Sequence, residues 1–162
     1  MNQYSRRENI EIIRIPDRIK QEDLEEHVIK IINSLDIEIT SYDIAACHRL
    51  KKKDTDESAN TIVRFICRKK VSSILSQKKK LSEEQIINKL GKEYFITDNL
   101  SPMNRKCLNT LSYLKKKNII KSCWSYNGII NYKLSDNKNE RSKKLFHCDD
   151  ILYYIPRAAN FI

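Results

Sequence analysis

The sequence contains little glycine and proline, with only two Gly and three Pro among its 162 residues. Neither glycine lies in a phosphate-binding GxxxxGK[ST] loop or a GxSxG nucleophile turn, and the zinc motifs HExxH and HxE…PCxxC are absent. The lone acidic pair beside a histidine, Asp149-Asp150 after His147, also suits a helix N-terminus. We therefore predict that the protein is not an enzyme and uses no cofactor.

Long apolar runs are missing as well. No stretch approaches the roughly 20 residues that a membrane span requires, and the polar, basic N-terminus lacks the apolar segment of a signal peptide. The five cysteines are an odd number without CxxC spacing, which is typical of reduced thiols. These absences predict a soluble protein of the cytoplasm or nucleus, with no membrane partner.

The cysteines and histidines do not form a zinc-binding pattern. Structural zinc needs about four Cys and His side chains at short, recurring spacings. Only Cys47-His48 and His147-Cys148 approach such spacing, and adjacent residues on a strand point to opposite faces. The sequence therefore predicts no metal site.

Positive charge is present in excess. The chain has 31 Lys and Arg against 21 Asp and Glu, which gives a net charge of +10 and an isoelectric point near 9.4. Such a surplus attracts polyanions and carries no information about the fold. Nucleic acid is the first candidate partner, and an anionic membrane surface is the second.

Two hydrophobic periodicities alternate along the N-terminal part of the chain. The predicted strands are residues 9–15, 42–50, 61–67 and 93–97. The predicted helices lie around 24–35 and 71–75, with a short extra helix between Ser82, at capping-box spacing from Gln85, and Gly91 at its end. Residues 51–60 are polar and predict a loop. The order β-α-β-β-α-β is that of a ferredoxin-like, RNA-recognition-motif-like α+β domain.

A domain boundary is predicted at Leu100-Ser101-Pro102, where Ser101 can cap a helix that begins with Pro102. Asn127-Gly128 between two β-prone runs is a strong hairpin signal. A short strand and a last helix are predicted within "LFHCDDILYYI". We predict two domains, an RNA-recognition-motif-like domain at 1–100 and a small helix–hairpin–helix domain at 101–162.

An RNA-recognition motif stacks bases on exposed aromatic side chains of its first and third strands. Here the inward positions are filled by Val63 and Phe65, but the stacking positions hold Glu11, Asn60 and Ile62. The fold pattern is kept while the stacking platform is absent. Such a domain is expected to bind through cations that track phosphates rather than through base contacts.

Cations stand where the predicted strands begin and end. They are Arg6, Arg7, His48, Arg49, Lys51, Arg68 and Lys69, and Arg64 is expected on the sheet face opposite Val63 and Phe65. Lysine runs at residues 78–80 and 115–117 are more typical of solvated helix ends. Trp124 and Tyr126 are two residues apart, so they are expected on the same side of a strand. Such a pair is more typical of a hairpin core than of a surface that stacks nucleotides.

Several blocks, in this order, resemble a known family. They are "YSRRENIEIIRIPD", "DIAACHRL", "TIVRFICRKKVSSIL", "FITDNLSPMNRKCL", "WSYNGIINYKL" and "KLFHCDDIL". The blocks are similar to the RNA-binding protein encoded by the first open reading frame of LINE-type, non-LTR retrotransposons. They also resemble the related few-polyhedra protein of baculoviruses and other insect viruses, in which the same pattern occurs.

The resemblance implies a sequence-tolerant binder of single-stranded RNA or DNA, acting as a nucleic-acid chaperone or packaging factor. Its two domains would clamp the strand between them. Carried over by position, the family pattern assigns binding roles to His48, Arg49, Arg64, Arg105, Lys106 and Lys133, and Lys121 lies among the cations of the second domain. The alternative is a viral structural or assembly factor that acts mainly through protein contacts, by self-association or with virion proteins.

Overall fold

The computed structural model describes residues 3–52, 54 and 58–162. The described chain divides into two compact units. Arg7–Asn99 form the first unit, and residues 3–6 group with 100–162 in the second unit. The second unit thus begins at Leu100, and it includes residues 3–6, which the sequence prediction assigned to the first domain.

The first unit combines four strands with three helices. The strands are β1 (Asn9–Ile13), β2 (Ile44–Arg49), β3 (Thr61–Phe65) and β4 (Phe95–Asp98). The helices are α1 (Gln21–Asn33), α2 (Arg68–Gln77) and α3 (Glu84–Leu90). The strands form one antiparallel sheet in the order β2-β3-β1-β4. The predicted mixture of helix and sheet is confirmed, and each predicted strand of this unit is present.

The predicted ends of α3 are partly correct. Gly91 follows the helix in the left-handed region, at φ 74°, as its position predicted. Ser82 does not cap the helix, because it lies in the preceding 3-10 turn and Glu83 occupies the N-cap position. Part of the predicted loop at 51–60, residues 53 and 55–57, lies outside the described residues.

One face of the four-stranded sheet packs against the helices. Ile10 and Ile12 of β1 and Val63 and Phe65 of β3 are fully buried there, among apolar side chains of α1 and α2. Full burial of each such side chain stabilises the fold by about 1.5–3 kcal/mol. Alternation along the strands leaves Glu11, Ile62 and Arg64 on the opposite face, which we call the outer face of the first sheet.

The second unit consists of a long helix, a three-stranded sheet and a short helix. They are α4 (Pro102–Lys116), β5 (Ser122–Tyr126), β6 (Ile129–Lys133), β7 (Lys143–Leu145) and α5 (Ile151–Tyr154). The sheet is antiparallel in the order β5-β6-β7. Cys107, Leu111 and Leu114 of α4 are fully buried in a core with residues of the sheet.

Both local signals predicted for the second unit are confirmed. The Ser101 hydroxyl accepts a hydrogen bond from the Asn104 backbone N–H at 3.3 Å, and Pro102 is the first helical residue. Asn127 and Gly128 form the hairpin turn with φ values of 50° and 74°. Two consecutive left-handed residues are characteristic of a type I′ turn, whose twist matches that of the flanking strands.

Gln3 connects the start of α4 to the hairpin turn. Its side-chain Oε1 accepts hydrogen bonds from the Ser101 N–H at 2.7 Å and from the Asn104 Nδ2 at 3.3 Å. The same Asn104 Nδ2 donates to the Gly128 carbonyl at 2.8 Å. This Gln3 network explains why residues 3–6 belong to the second unit.

Candidate nucleic-acid interface

Arg49, which the resemblance assigns to nucleic-acid binding, is used to hold a loop of the first unit. Its Nη1 donates to the carbonyls of Ile15 (3.1 Å) and Ala59 (3.5 Å), and its Nη2 donates to those of Pro16 (2.6 Å) and Ile19 (3.0 Å). Only 18% of the side chain is exposed. Four of the five guanidinium N–H groups are therefore engaged, and we remove Arg49 from the set of candidate phosphate contacts.

Asp17 adds a carboxylate to the same loop. Its Oδ1 lies 3.8 Å from the Arg49 Nη1, and its Oδ2 accepts a hydrogen bond from the Lys52 Nζ at 2.9 Å. The Lys52 hydrogen bond, followed by that from the Ala59 N–H, lowers the pKa of Asp17. Asp17 is thus held as an anion beside Arg49. Its negative charge helps to keep the Arg49 guanidinium in the loop.

Arg64 lies on the outer face of the first sheet, as predicted, but it has an acidic neighbour. Its Nε and Nη2 donate to the Glu8 Oε2 at 3.3 and 3.2 Å, and 59% of the Arg64 side chain is exposed. An exposed pair of this kind contributes about 0–1 kcal/mol to stability. A phosphate can therefore replace Glu8 as the partner of Arg64 at little energetic cost.

Glu11 occupies the centre of this outer face, opposite Ile62 of β3 and Thr97 of β4. It is 4% exposed, and its two carboxylate oxygens accept hydrogen bonds from the side chains of Asn60 (3.3 Å) and Asn99 (2.7 Å). A buried acid held by two amides stands where an RNA-recognition motif places a stacking aromatic. The centre of the outer face of the first sheet thus offers no aromatic ring to a base, although His48, opposite Ile62, and Phe95, opposite Ile13, lie elsewhere on this face.

Four further predicted cations of the first unit are exposed. His48 lies on β2 opposite Ile62, and Lys51 follows the strand. Arg68 and Lys69 open α2, whose first turn contains no acidic residue and whose Cys67 N-cap makes no side-chain hydrogen bond. Cations at a helix N-terminus oppose the helix dipole, so this placement favours an external anion over helix stability.

Cys47 and His48 form one of the two adjacent pairs whose spacing most nearly suits half of a zinc site. Cys47 packs against the first core whereas His48 is exposed, as strand alternation predicts. Burial raises the pKa of the Cys47 thiol to about 11, so the group stays protonated. Among the described residues, no three His, Cys, Asp or Glu side chains gather in a geometry that would hold a metal ion.

The predicted cations of the second unit occupy three places. Arg6 Nη1 donates to the Leu100 carbonyl at 3.4 Å, while Arg105 and Lys106 lie in the first turns of α4. Lys121, just before β5, is paired with Asp136 at 2.6 Å. Lys133 ends β6. Arg7, at the start of the first unit, is half-buried.

Trp124 and Tyr126 point away from the core of the second unit. Trp124 is 37% exposed and Tyr126 is 67% exposed. The opposite face of the sheet, which includes Ile130 and Tyr132 of β6, is the one buried toward α4. The interpretation of this pair as hairpin core is therefore wrong. The core is filled instead by apolar residues of α4 and by the alternate positions of the strands, which leaves both aromatic rings at the surface.

Positive charge is distributed unevenly between the units. Residues 100–162 contain twelve Lys and Arg against four Asp and Glu, a net charge of +8. Residues 7–99 contain eighteen against seventeen, a net charge of +1. Counting charge separately on each side of the predicted boundary would have revealed this asymmetry from the sequence alone.

In the part of the chain that the structure describes, no helix has both the length and the apolar character needed to cross a bilayer. Comparison with known proteins adds no assignment, because no protein-family profile and no curated protein matches the chain.

Proposed function

We propose that this chain is a sequence-tolerant single-stranded nucleic-acid-binding protein that acts by binding rather than by catalysis. The observation that carries the proposal is the net charge of +8 on residues 100–162. A compact unit with this surplus gains affinity for a polyanion by releasing the counterions condensed on it. RNA and DNA both meet this requirement, and a chaperone or packaging factor is the role that suits it.

The architecture of the first unit supports a finer assignment. Its element order and its strand order β2-β3-β1-β4 favour a ferredoxin-like, RNA-recognition-motif-like domain. The resemblance to LINE first-reading-frame and few-polyhedra proteins favours the same domain. Because Glu11 is buried at the position of a stacking aromatic, we assign the first unit to phosphate contacts through its exposed cations rather than to base contacts.

A viral assembly role is the second candidate, and exposed apolar residues near the C-terminus favour it. Leu152, Tyr153 and Tyr154 on α5 are 47%, 80% and 49% exposed, and Phe161 and Ile162 are 38% and 53% exposed. Apolar side chains exposed close together are typical of protein-contact surfaces. Under this candidate, concentration-dependent association would be seen by sedimentation in the absence of any nucleic acid.

Binding to a single-stranded oligonucleotide is expected to weaken steeply as salt is raised. With some 5–8 phosphates contacted, the slope of log K against log salt should be near −3.5 to −6. Fluorescence anisotropy of a labelled strand, titrated at several salt concentrations, measures this slope. A slope shallower than −1 would contradict the phosphate contacts and would favour the assembly role.

Removing the acid beside Arg64 is expected to strengthen binding. Glu8→Gln leaves Arg64 available to phosphate and should raise affinity by about threefold at low salt, in line with the small energy of an exposed ion pair. The matched control is Glu22→Gln on α1, an exposed acid whose loss changes the net charge equally. If both variants gain the same affinity, or if Arg64→Ala does not abolish the gain, Arg64 makes no phosphate contact.

A further inference from the structure

The sheet of the second unit has one face turned toward α4 and one turned away. The inward face contributes Ile130, Tyr132 and Leu145 to the core. Because side chains alternate along strands, the opposite face is formed by the intervening residues. We call this the aromatic face, and it consists of Trp124, Tyr126, Ile129, Asn131, Lys133 and Lys144.

Strand register brings these residues into rows. Trp124 on β5 is opposite Asn131 on β6, and Asn131 is opposite Lys144 on β7. Tyr126 is opposite Ile129, and Lys133 is opposite Ser122. Directly paired residues of antiparallel strands have Cβ atoms about 4.5–5.5 Å apart, so each row is a continuous strip of side chains. Trp124 and Tyr126 therefore lie two positions apart on the same side of β5. Lys133 lies across from the Ser122 end of β5, and Lys144 lies on β7, separated from Trp124 by Asn131, which is only 6% exposed.

Neither ring belongs to the buried core of the second unit. Its core is closed by fully buried side chains of α4 and of the inward sheet face, whereas Tyr126 is 67% exposed. Tyr126 thus forgoes most of the apolar burial that an inward ring would gain, and Trp124, 37% exposed, forgoes part of it. Their placement is therefore better explained by a ligand than by stability.

Charge restricts the ligand further. The three strands β5, β6 and β7 contain Lys133, Lys143 and Lys144 and no acidic residue. The face belongs to residues 100–162, whose net charge is +8. A partner that offers flat π-surfaces together with negative charge is complementary to it, and a single-stranded nucleic acid has both.

We infer that the aromatic face is the base-stacking surface of this protein, an inference that rests on the proposed function and assigns it a site. Unpaired bases stack on Trp124 and Tyr126 while Lys133 and Lys144 contact the flanking phosphates. Stacking accepts any base, because every base has a π-face, so the site is sequence-tolerant. The sheet of the second unit thus supplies the stacking that the buried Glu11 cannot provide at the centre of the first sheet.

Trp124 is the single tryptophan of the chain, so intrinsic fluorescence reports directly on this face. The probe is a single strand of about 20 nucleotides, longer than the 4–16 nucleotides that one compact binding domain covers. It is expected to quench the tryptophan with the same midpoint that anisotropy gives for binding. A fully abasic strand of equal length should bind more weakly and leave the fluorescence nearly unchanged, because it offers phosphates without bases.

Substitution tests the same site in the intact chain. Trp124→Ala and Tyr126→Ala should each weaken binding by roughly 5- to 100-fold, the equivalent of one lost stacking contact, without changing the salt slope. Trp124→Phe should recover part of the loss. Tyr153→Ala is the matched control, since Tyr153 is an exposed ring of the same unit that lies outside the aromatic face. Circular dichroism of each variant establishes that it is folded.

Lys144→Ala is expected to weaken binding and to make the salt slope shallower by about 0.7, the contribution of one phosphate on a single strand. If Trp124→Ala and Tyr126→Ala both bind with wild-type affinity, the stacking site is wrong. The proposed function would still stand in that case if the intact protein shows the steep salt slope. Failure of the intact protein to bind any strand at low salt would overturn both.

Discussion

Replacing Arg49 by alanine is expected to lower the free energy of unfolding of the first unit by about 3 kcal/mol. The change removes the four guanidinium hydrogen bonds to the carbonyls of Ile15, Pro16, Ile19 and Ala59. These hydrogen bonds hold residues 15–19 and Ala59 in place. Each carbonyl left without a partner in a site of low exposure costs free energy, and water can reach only part of this site. Thermal or urea unfolding followed by circular dichroism measures the loss.

Two variants make this test specific. Arg49→Lys should recover only part of the stability, because a lysine has three donors on one nitrogen and lacks the planar fork that reaches four carbonyls. Lys51→Ala, an exposed cation two residues away, should leave stability within about 0.5 kcal/mol of the wild type. Should Arg49→Ala keep wild-type stability and lose nucleic-acid affinity, the role implied by the family resemblance would be correct after all.

Gly128→Ala is expected to destabilise the second unit by about 2 kcal/mol. Gly128 has φ 74°, and a Cβ built on it would lie 2.5 Å from the Gln3 side-chain Nε2. The alanine therefore has to adopt a left-handed conformation and also displace the Gln3 side chain. That displacement removes the hydrogen bonds from the Ser101 N–H and the Asn104 Nδ2 to the Gln3 Oε1.

Gly91 supplies the control for backbone strain alone. It has the same φ of 74°, yet a Cβ at Gly91 would have no neighbouring atom within 4 Å. Gly91→Ala should therefore cost only about 1 kcal/mol. In a Gln3→Ala background, Gly128→Ala should cost no more than Gly91→Ala does. Equal losses for the two glycines in the wild-type background would show that Gln3 does not hold the hairpin turn.

Much of the fold follows from local patterns in the sequence. The run "TIVRFIC" predicts β3 because β-branched and aromatic residues suit a half-buried strand. Ser101-Pro102 predicts the start of α4, and Asn127-Gly128 predicts the hairpin, because each signal depends on only two or three neighbouring residues. The Gln3 network could not be predicted in this way, since its partners are about a hundred residues apart in sequence and no periodicity connects them.

The candidate site was only partly accessible from the sequence. An arginine near a strand end indicates a cation but does not reveal its hydrogen-bond partners, so Arg49 and Arg64 looked alike. In the structure, Arg49 is engaged by four carbonyls and Arg64 by one exposed acid. The alternation of Trp124 and Tyr126 correctly predicts that they share a side of β5. The alternation does not indicate which side of β5 packs on α4. The side is decided by how all the apolar residues of the second unit pack together in its core.

The Gln3 network also determines when the second unit can be completed during synthesis. Gln3 and Ser101 are separated by 98 residues, and Gly128 is translated later still. At about 5–20 residues per second, Gln3 leaves the ribosome some 6–25 s before the hairpin that it joins. The first unit, Arg7–Asn99, is contiguous and can fold within that interval. Docking of Gln3 onto the hairpin turn therefore follows the synthesis of the entire first unit.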